Sequence, residues 1–358
     1  MPESIVRVAL IGYGLAGSVF HAPLIAATDG LSLDAIVTSN QERAAQAQDL
    51  YKGVKILGSV DDIWSQSQRY DLVVIASPNS VHEEQARAAL NCGLAVVVDK
   101  PMAPSAVACK SLMELSRSKG KLLSVFQNRR WDNDFITLRS VIDQGTLGKI
   151  VRFESRYERY RSQPRAGSWR ESVSREEGGG LLYDLGSHLI DQACTLFGMP
   201  TNVYAELGRK RRGAQADDDV FVALTFPADI NAHLWMSLVA CIQGARFRVL
   251  GLDGAFEKFG LDPQEEMLRN GKTPKSEGWG IEPDSSWATL ATAQGGIERI
   301  ESRPGSYEAY YRQIYQALNG QAEVPVDPAD AYRTTCIIEA AIASCNEQRP
   351  VAIGAASI

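Results

Sequence analysis

A chain of 358 residues, 45% hydrophobic, 22% charged and 8% aromatic, has the make-up of a globular protein long enough for two cores. Its net charge of -6 excludes a general nucleic-acid or anionic-membrane surface, which needs a basic excess. The six cysteines include no CxxC pair and spell out no zinc or redox motif, and no stretch reaches the roughly 20 apolar residues of a membrane-spanning helix. The apolar run Ile5–Ile11 is too short for a signal peptide and follows no basic residues, so a reducing cytoplasm is the expected compartment.

Five short apolar runs, Ile5–Ile11, Leu31–Val37, Leu72–Ala76, Ala95–Val98 and Leu122–Val125, lack in/out alternation, as parallel strands covered on both faces do. Between them Ala16–Thr28, Gln41–Leu50, Ser80–Asn91 and Ser105–Lys119 have helical spacing. Ser80-Val81-His82-Glu83 has capping-box spacing, and Gly93 and Gly120 stand where helices would stop. The repetition predicts an α/β fold, a doubly wound parallel sheet of Rossmann type over residues 1–125.

Gly12-Tyr13-Gly14-Leu15-Ala16-Gly17 lies between the first strand and the first helix. GxGxxG alone is a weak signal. In a strand–turn–helix context, glycines give a tight turn, close backbone approach to a pyrophosphate and close helix–strand contact, and the helix N-terminus offers free N–H groups. These six residues are therefore candidate cofactor residues; the bland alternative is a tight structural turn. The second strand ends in Val37-Thr38-Ser39-Asn40, with Arg43 one turn on, and no carboxylate is there to accept from a ribose 2′-OH. Thr38, Ser39 and Arg43 suit a 2′-phosphate, so NADP(H) is expected over NAD(H). The alternative is a helix cap at Ser39 or Asn40 with Arg43 merely solvated.

Ser77-Pro78-Asn79 and Asp99-Lys100-Pro101 follow two of the strands, at the carboxyl ends where such sheets bind ligands. Ser77, Pro78, Asn79, His82 and Lys100 are candidate cofactor contacts. Lys100 would project towards the ligand and could exchange a proton with a substrate hydroxyl; the alternative is an exposed loop lysine.

From about Lys149 the pattern changes. Ile150–Tyr160, Asn202–Gly208, Val220–Phe226, Ala232–Cys241, Phe247–Gly251 and Ala255–Phe259 predict longer, partly alternating strands, interrupted by one helix over Leu181–Phe197. This is a large, open, mainly antiparallel sheet with one helix-covered face, leaving the other for a subunit. The polar stretch Asp262–Ser286 reads as a loop, and helices over Tyr307–Asn319 and Pro328–Glu347 close the chain. The division predicted is 1–125 for the dinucleotide-binding domain and 126–358 for a substrate-binding and oligomerisation domain. Within Gly178-Gly179-Gly180-Leu181-Leu182-Tyr183-Asp184-Leu185-Gly186-Ser187-His188-Leu189-Ile190-Asp191, residues Asp184, His188 and Asp191 fall on one helix face. A carboxylate one turn from an imidazole can orient an acid/base histidine. A surface or capping pair is the bland reading; a metal site is not expected, since no third ligand is near.

These three motifs, in this order, resemble the glucose–fructose oxidoreductase/inositol dehydrogenase/rhizopine catabolism (Gfo/Idh/MocA) family over essentially the whole chain. VFQNRRWDNDF, YDLGSHLIDQ and LFGMP further resemble its subgroup of NADP-dependent scyllo-inositol dehydrogenases. The resemblance implies hydride transfer between nicotinamide C4 and a hydroxyl carbon, with Lys100, Asp184 and His188 as the catalytic trio. It implies a cyclic polyol or sugar as substrate and a homodimer or homotetramer built through the open sheet. Asp99 stands for the family's usual Glu near the nicotinamide ribose. Asn128 matches a nicotinamide-side position, Trp169-Arg170 a pair closing over the cofactor, and Tyr307 a residue reaching it from the C-terminal segment. Asn40 departs from the family, standing where an arginine often follows.

Arg152, Arg156, Arg159, Arg161, Arg165 and Arg170, with Tyr157 and Tyr160, read either as a sheet face with solvated arginines or as a lid over the substrate. Lys100, Tyr157, Arg165, Asp184 and His188 are the candidate substrate contacts. The rival functions are an aldose or deoxysugar oxidoreductase, a cofactor-assisted glycosidase, and a non-catalytic cofactor-bound regulator, which tends to lose the lysine or histidine that this chain keeps.

Overall fold

A computed structural model of the protein describes residues 5–164 and 178–354. Packing divides the chain into two compact units. The first takes the chain up to Trp131 with Pro263–Gly280 and Ser306–Ala331; the second takes Asp132–Asp262, Ile281–Gly305 and the chain from Tyr332. The sequence suggests a single division after residue 125, whereas the units interleave.

In the first unit, strands β1 (Val6–Ile11), β2 (Leu31–Val37), β3 (Lys55–Leu57), β4 (Leu72–Ile75), β5 (Ala95–Asp99) and β6 (Leu123–Phe126) form a sheet in the order β3-β2-β1-β4-β5-β6. Every pairing is parallel. Leu10, Ile36, Val73, Val74, Val96, Val97 and Val125 are fully buried, which is why these strands read as unbroken apolar runs. Strand order reverses between β1 and β4, so the carboxyl ends of those strands part and leave a crevice. The first helical segment is not one α-helix: Ala16–His21 is wound as a π-helix and continues as the α-helix Ala22–Ala27. Ser80 is not a capping residue. It lies in a 3-10 turn, Asn79–Val81, begun by Pro78, and the helix His82–Asn91 starts without a side-chain cap. Gly120 does end its helix, in the left-handed conformation at φ 61°.

The stretch Asp262–Ser286, expected as loop, contains the helix Gln264–Arg269 and a 3-10 turn at Asp284–Ser286. That helix and the helix Glu308–Leu318 belong to the first unit. Arg129 binds them in: its guanidinium donates to Glu265 at 2.6 Å and to the Tyr307 hydroxyl at 3.0 Å. Tyr310 stacks edge-on against Phe126 with centroids 5.0 Å apart, and its hydroxyl donates to Ser124 at 3.0 Å. Tyr307 is fully buried in this joint, so the expected reach to a cofactor is not what its side chain does.

In the second unit, β7 (Ile150–Glu158), β8 (Asn202–Gly208), β9 (Asp219–Phe226), β10 (Ile230–Ser237), β11 (Phe247–Gly251), β12 (Gly254–Lys258), β13 (Ala288–Thr292), β14 (Ile297–Ile300) and β15 (Val351–Ala352) form one mixed sheet. Its order is β14-β13-β12-β11-β7-β10-β9-β8-β15, with β7–β10 parallel and the other pairs antiparallel. Phe153, Tyr157, Val222, Leu234, Met236 and Phe247 point into a core closed by Leu185, Leu189 and Ile190 from the helical segment behind the sheet. The period of two sends Phe221, His233 and Trp235 to the opposite face, where the Phe221 and Trp235 rings lie 5.2 Å apart. The helix Asn133–Asp143, not expected from sequence, also belongs to this unit.

Candidate functional site

At the reversal point the glycine turn is forced by its surroundings. Gly12 sits at φ 93°, and a Cβ there would lie 2.6 Å from the carbonyl oxygen of Ala76, just past β4. A Cβ on Gly17 would lie 2.0 Å from the carbonyl oxygen of Gly12. Gly14 differs: its Cβ position is open, with only Arg43 Nη1 nearby, at 3.9 Å. The helical segment that follows has no side-chain cap at Leu15, so no side chain occupies the N–H groups of its first turn. An open Cβ position beside an uncapped helix start is the shape a pyrophosphate fills. Tyr13 is 2% exposed, Leu15 is exposed and Ala16 half-buried.

At the end of β2, Asn40 caps the helix Gln41–Leu50 by accepting from the Arg43 N–H at 2.9 Å, and Thr38 Oγ1 accepts from the Asn40 N–H at 3.3 Å. The cap reading is thus right for Asn40. It leaves the Arg43 side chain exposed and reaching back over Gly14, beside the half-buried Thr38 and the exposed Ser39.

At the ends of β4 and β5, Ser77 donates to Gln85 at 2.7 Å, and Asp99 accepts from the Lys100 N–H at 2.9 Å. Pro78 is exposed and Asn79 half-buried. Burial pushes the Asp99 carboxyl up, but His21, Lys100 and His82 outweigh it and hold the acid below its ordinary range. His21 lies fully buried behind Asp99, with Nε2 3.9 Å from Oδ1 and Nδ1 2.6 Å from the Tyr311 hydroxyl. His82 corrects the sequence reading. It is fully buried, with Nδ1 2.8 Å from the Pro101 carbonyl and Nε2 2.9 Å from the Ser77 carbonyl, so it offers no atom to a cofactor. Lys100 is half-buried, and Asn128 lies 6% exposed in a 3-10 turn after β6.

In the second unit, Asp184 and His188 are on one continuous helical segment, but not on a uniform α-helix. Leu182–Gly186 is wound as a π-helix before the α-helix Ser187–Phe197 begins. The wider turn alters the angle between the two residues from the α-helical expectation, and such turns recur at functional sites. His188 is 6% exposed and Asp184 half-buried. Sequence reasoning missed Asp217. Its carbonyl accepts from the Leu181 N–H and its carboxylate from the Leu182 N–H, both at 3.0 Å, capping the segment that carries Asp184 and His188. Gly180, at φ 91°, makes room: a Cβ there would sit 2.5 Å from that carboxylate. The run Asp217-Asp218-Asp219 was the available signal.

Two substrate expectations change. Tyr157 is 1% exposed because strand alternation turns it to the core, under the guanidiniums of Arg159 (5.1 Å) and Arg246 (5.4 Å). Arg156 and Arg152 are sheet-face residues, not lid residues. Arg156 bonds Glu154 at 2.8 Å and lies 4.0 Å over the Trp235 ring, and Arg152 is 3.9 Å from Glu154. Arg165, Trp169 and Arg170 lie outside the described residues. Among the described residues there is no cluster of metal ligands and no helix long and apolar enough to cross a membrane.

Two family profiles match in tandem: an oxidoreductase-family, NAD-binding Rossmann fold over residues 6–127, and an oxidoreductase-family, C-terminal alpha/beta domain over residues 139–353. The chain belongs to the Gfo/Idh/MocA oxidoreductase family. An uncharacterized oxidoreductase of Escherichia coli K12, YdgJ, is 40% identical to this Gfo/Idh/MocA chain over 96% of it and 97% of the relative. A Bacillus subtilis enzyme, scyllo-inositol 2-dehydrogenase (NADP(+)) IolW, is 35% identical over 97% of the chain and 95% of its own length. Among solved structures, a Bacillus subtilis oxidoreductase, yvaA, aligns with a TM-score of 0.93 at 34% identity, covering 99% of this chain and all (100%) of that one. The first unit of this Gfo/Idh/MocA oxidoreductase therefore includes an NAD(P)-binding Rossmann domain.

Proposed function

We propose that this oxidoreductase is an NADP-linked dehydrogenase acting on a hydroxyl-bearing carbon of a cyclic polyol or sugar, inositols first among them. The observation that carries the substrate class is the full-length similarity to an enzyme named scyllo-inositol 2-dehydrogenase (NADP(+)). A part-length similarity to D-glucoside 3-dehydrogenase of Escherichia coli, 29% identical over 56% of the chain, favours testing glucosides beside inositols. The Arg43 guanidinium beside Gly14, with Thr38 and Ser39 at the same strand end and no carboxylate among them, supports the preference for a 2′-phosphate.

When bound, the nicotinamide supplies the hydride acceptor or donor. Gly12 and Gly14–Gly17 hold the pyrophosphate through backbone N–H groups. Ser77, Pro78 and Asn79 line the strand end beside it, while Asp99, Asn128 and the Trp169-Arg170 pair contribute towards the nicotinamide. Lys100 and His188 share the proton of the substrate hydroxyl, one of them accepting it as the C–H bond breaks. Asp184 orients His188 and holds a neighbouring hydroxyl, with Arg165 as a further substrate contact. Copies of the chain associate as a dimer or tetramer through the sheet face bearing Phe221, His233 and Trp235.

A screen of inositols, aldoses and glucosides with NADP and NAD, followed at the nicotinamide absorbance, tests the reading. Turnover of an inositol with NADP is expected; absence of turnover with every substrate and both cofactors would sink it. Lys100→Met is expected to lower kcat by at least about a hundredfold while leaving NADP affinity within a few-fold.

A further inference from the structure

We propose that His82 is a positioning residue for Lys100: a buried imidazolium that fastens the carbonyl ending the β4 turn to the carbonyl that follows Lys100. This rests on Lys100 being a proton-transfer group. Ser77 and Pro101 lie on separate loops, and His82, first residue of its helix, stands between them with one ring nitrogen on each, at 2.9 and 2.8 Å. Carbonyl oxygens only accept, and a neutral imidazole has a single N–H. A neutral ring would therefore set a lone pair against one oxygen at hydrogen-bond distance, in a place where no water competes because the side chain is fully buried. The imidazolium donates to both.

A buried cation needs a counter-charge, and Asp99 supplies it from β5, one residue before Lys100. The other titratable ring near it is His21, from the helical segment after the glycine turn, which disfavours the charge. Burial draws the proton off His82 more strongly than the Pro101 carbonyl, Asp99 and the Ser77 carbonyl draw it back, so the ring is harder to charge than a free imidazole. Against that balance stand the two carbonyls at hydrogen-bond distance, neither of which can donate in the ring's place. Lys100 is then fixed on both sides: its own N–H is held by Asp99 at 2.9 Å, and the next residue's carbonyl is held by His82. A lysine whose backbone is pinned at two points keeps its amine within the small tolerance that proton transfer demands.

Isotope-labelled histidine NMR on the full chain tests the charge. The four histidines give four ring systems, and replacing His21, His188 and His233 in turn leaves His82 identified in the unaltered site. Both His82 nitrogens are expected to carry hydrogens at neutral pH; one bare nitrogen overturns the proposal. Kinetics test the positioning. His82→Leu is expected to lower kcat by at least about tenfold with the polyol KM little changed, His82→Gln to recover part of the loss, and neither to lower the residual rate of Lys100→Met further. An unchanged kcat in folded His82→Leu overturns the proposal, and if that variant does not fold, the NMR result on wild-type protein decides. Wild-type turnover in Lys100→Met would instead remove the reading of Lys100, leaving the measured charge of His82 to stand or fall separately.

Discussion

Gly12, Gly14 and Gly17 are three copies of one residue type held in place by three different constraints, and substitution separates them. Gly17→Ala drives a methyl into the Gly12 carbonyl, an overpacking expected to cost about 1–3 kcal/mol and visible as a lowered thermal midpoint. Gly14→Ala meets only the end of Arg43, so its midpoint is expected to stay near wild type while calorimetry shows NADP affinity falling at least about tenfold. Equal thermal losses in both would contradict the assignment of Gly14 to phosphate approach. Arg43→Ala is expected to raise the KM for NADP about tenfold or more and to leave that for NAD nearly unaltered, since only the former carries a 2′-phosphate. At this scale the sequence was readable where backbone conformation depends on spacing, as in the glycine turn. It was unreadable where chemistry depends on enclosure. Nothing beside His82 in the sequence distinguishes a histidine facing a cofactor from one shut between two carbonyls, and the run Asp217-Asp218-Asp219 draws notice without telling that Asp217 caps a segment more than thirty residues earlier.

Among the elements, the helix Gln264–Arg269 is tied in by an ion-pair cluster at Glu265, beside the hydrogen bonds of the buried Gln264. Burial pushes the Glu265 carboxyl up, but Arg129 and Arg269 overcome it and bring it down to about 2. A carboxyl depressed in the folded state stabilises above its unfolded value near 4.5 and loses that contribution as pH falls towards 2. The contribution is up to about 3 kcal/mol. Glu265→Gln is therefore expected to lower the thermal midpoint at pH 6 and to flatten its decline between about pH 4.5 and 2.5, in melts followed by circular dichroism. A wild-type decline no steeper than the variant's would count against it. Strands with a clear apolar run or alternation were legible in the sequence: Leu31–Val37, Asn202–Gly208 and Phe247–Gly251 match the observed bounds. The helix Asn133–Asp143 was not, because Asn133, Asp134 and Thr137 are buried polar residues that interrupt its apolar period. Three-residue β3 and the exposed β14 carry too little pattern to register.

For the whole molecule, the mixed sheet leaves an aromatic patch whose burial is the reason to expect assembly. Trp235 stacks against Phe221 and His233 and under Arg156, an amphipathic cluster suited to an interface. Trp235→Glu is expected to reduce the mass seen by light scattering to that of a single chain; an unaltered mass would place the interface elsewhere. The interleaving of the two units was hidden from the sequence, because the helices Gln264–Arg269 and Glu308–Leu318 have no pattern that says which unit receives them. That interleaving has a consequence during synthesis. Domains strung in order along a chain can fold one by one as they leave the ribosome. Here the first unit lacks the Glu265 partner of Arg129, and then Tyr310 and Tyr311, until most strands of the second unit's sheet have been made, and its last segment ends only at Ala331. The nascent Rossmann sheet must therefore wait, with its Phe126 edge uncovered, for nearly the whole chain to be made.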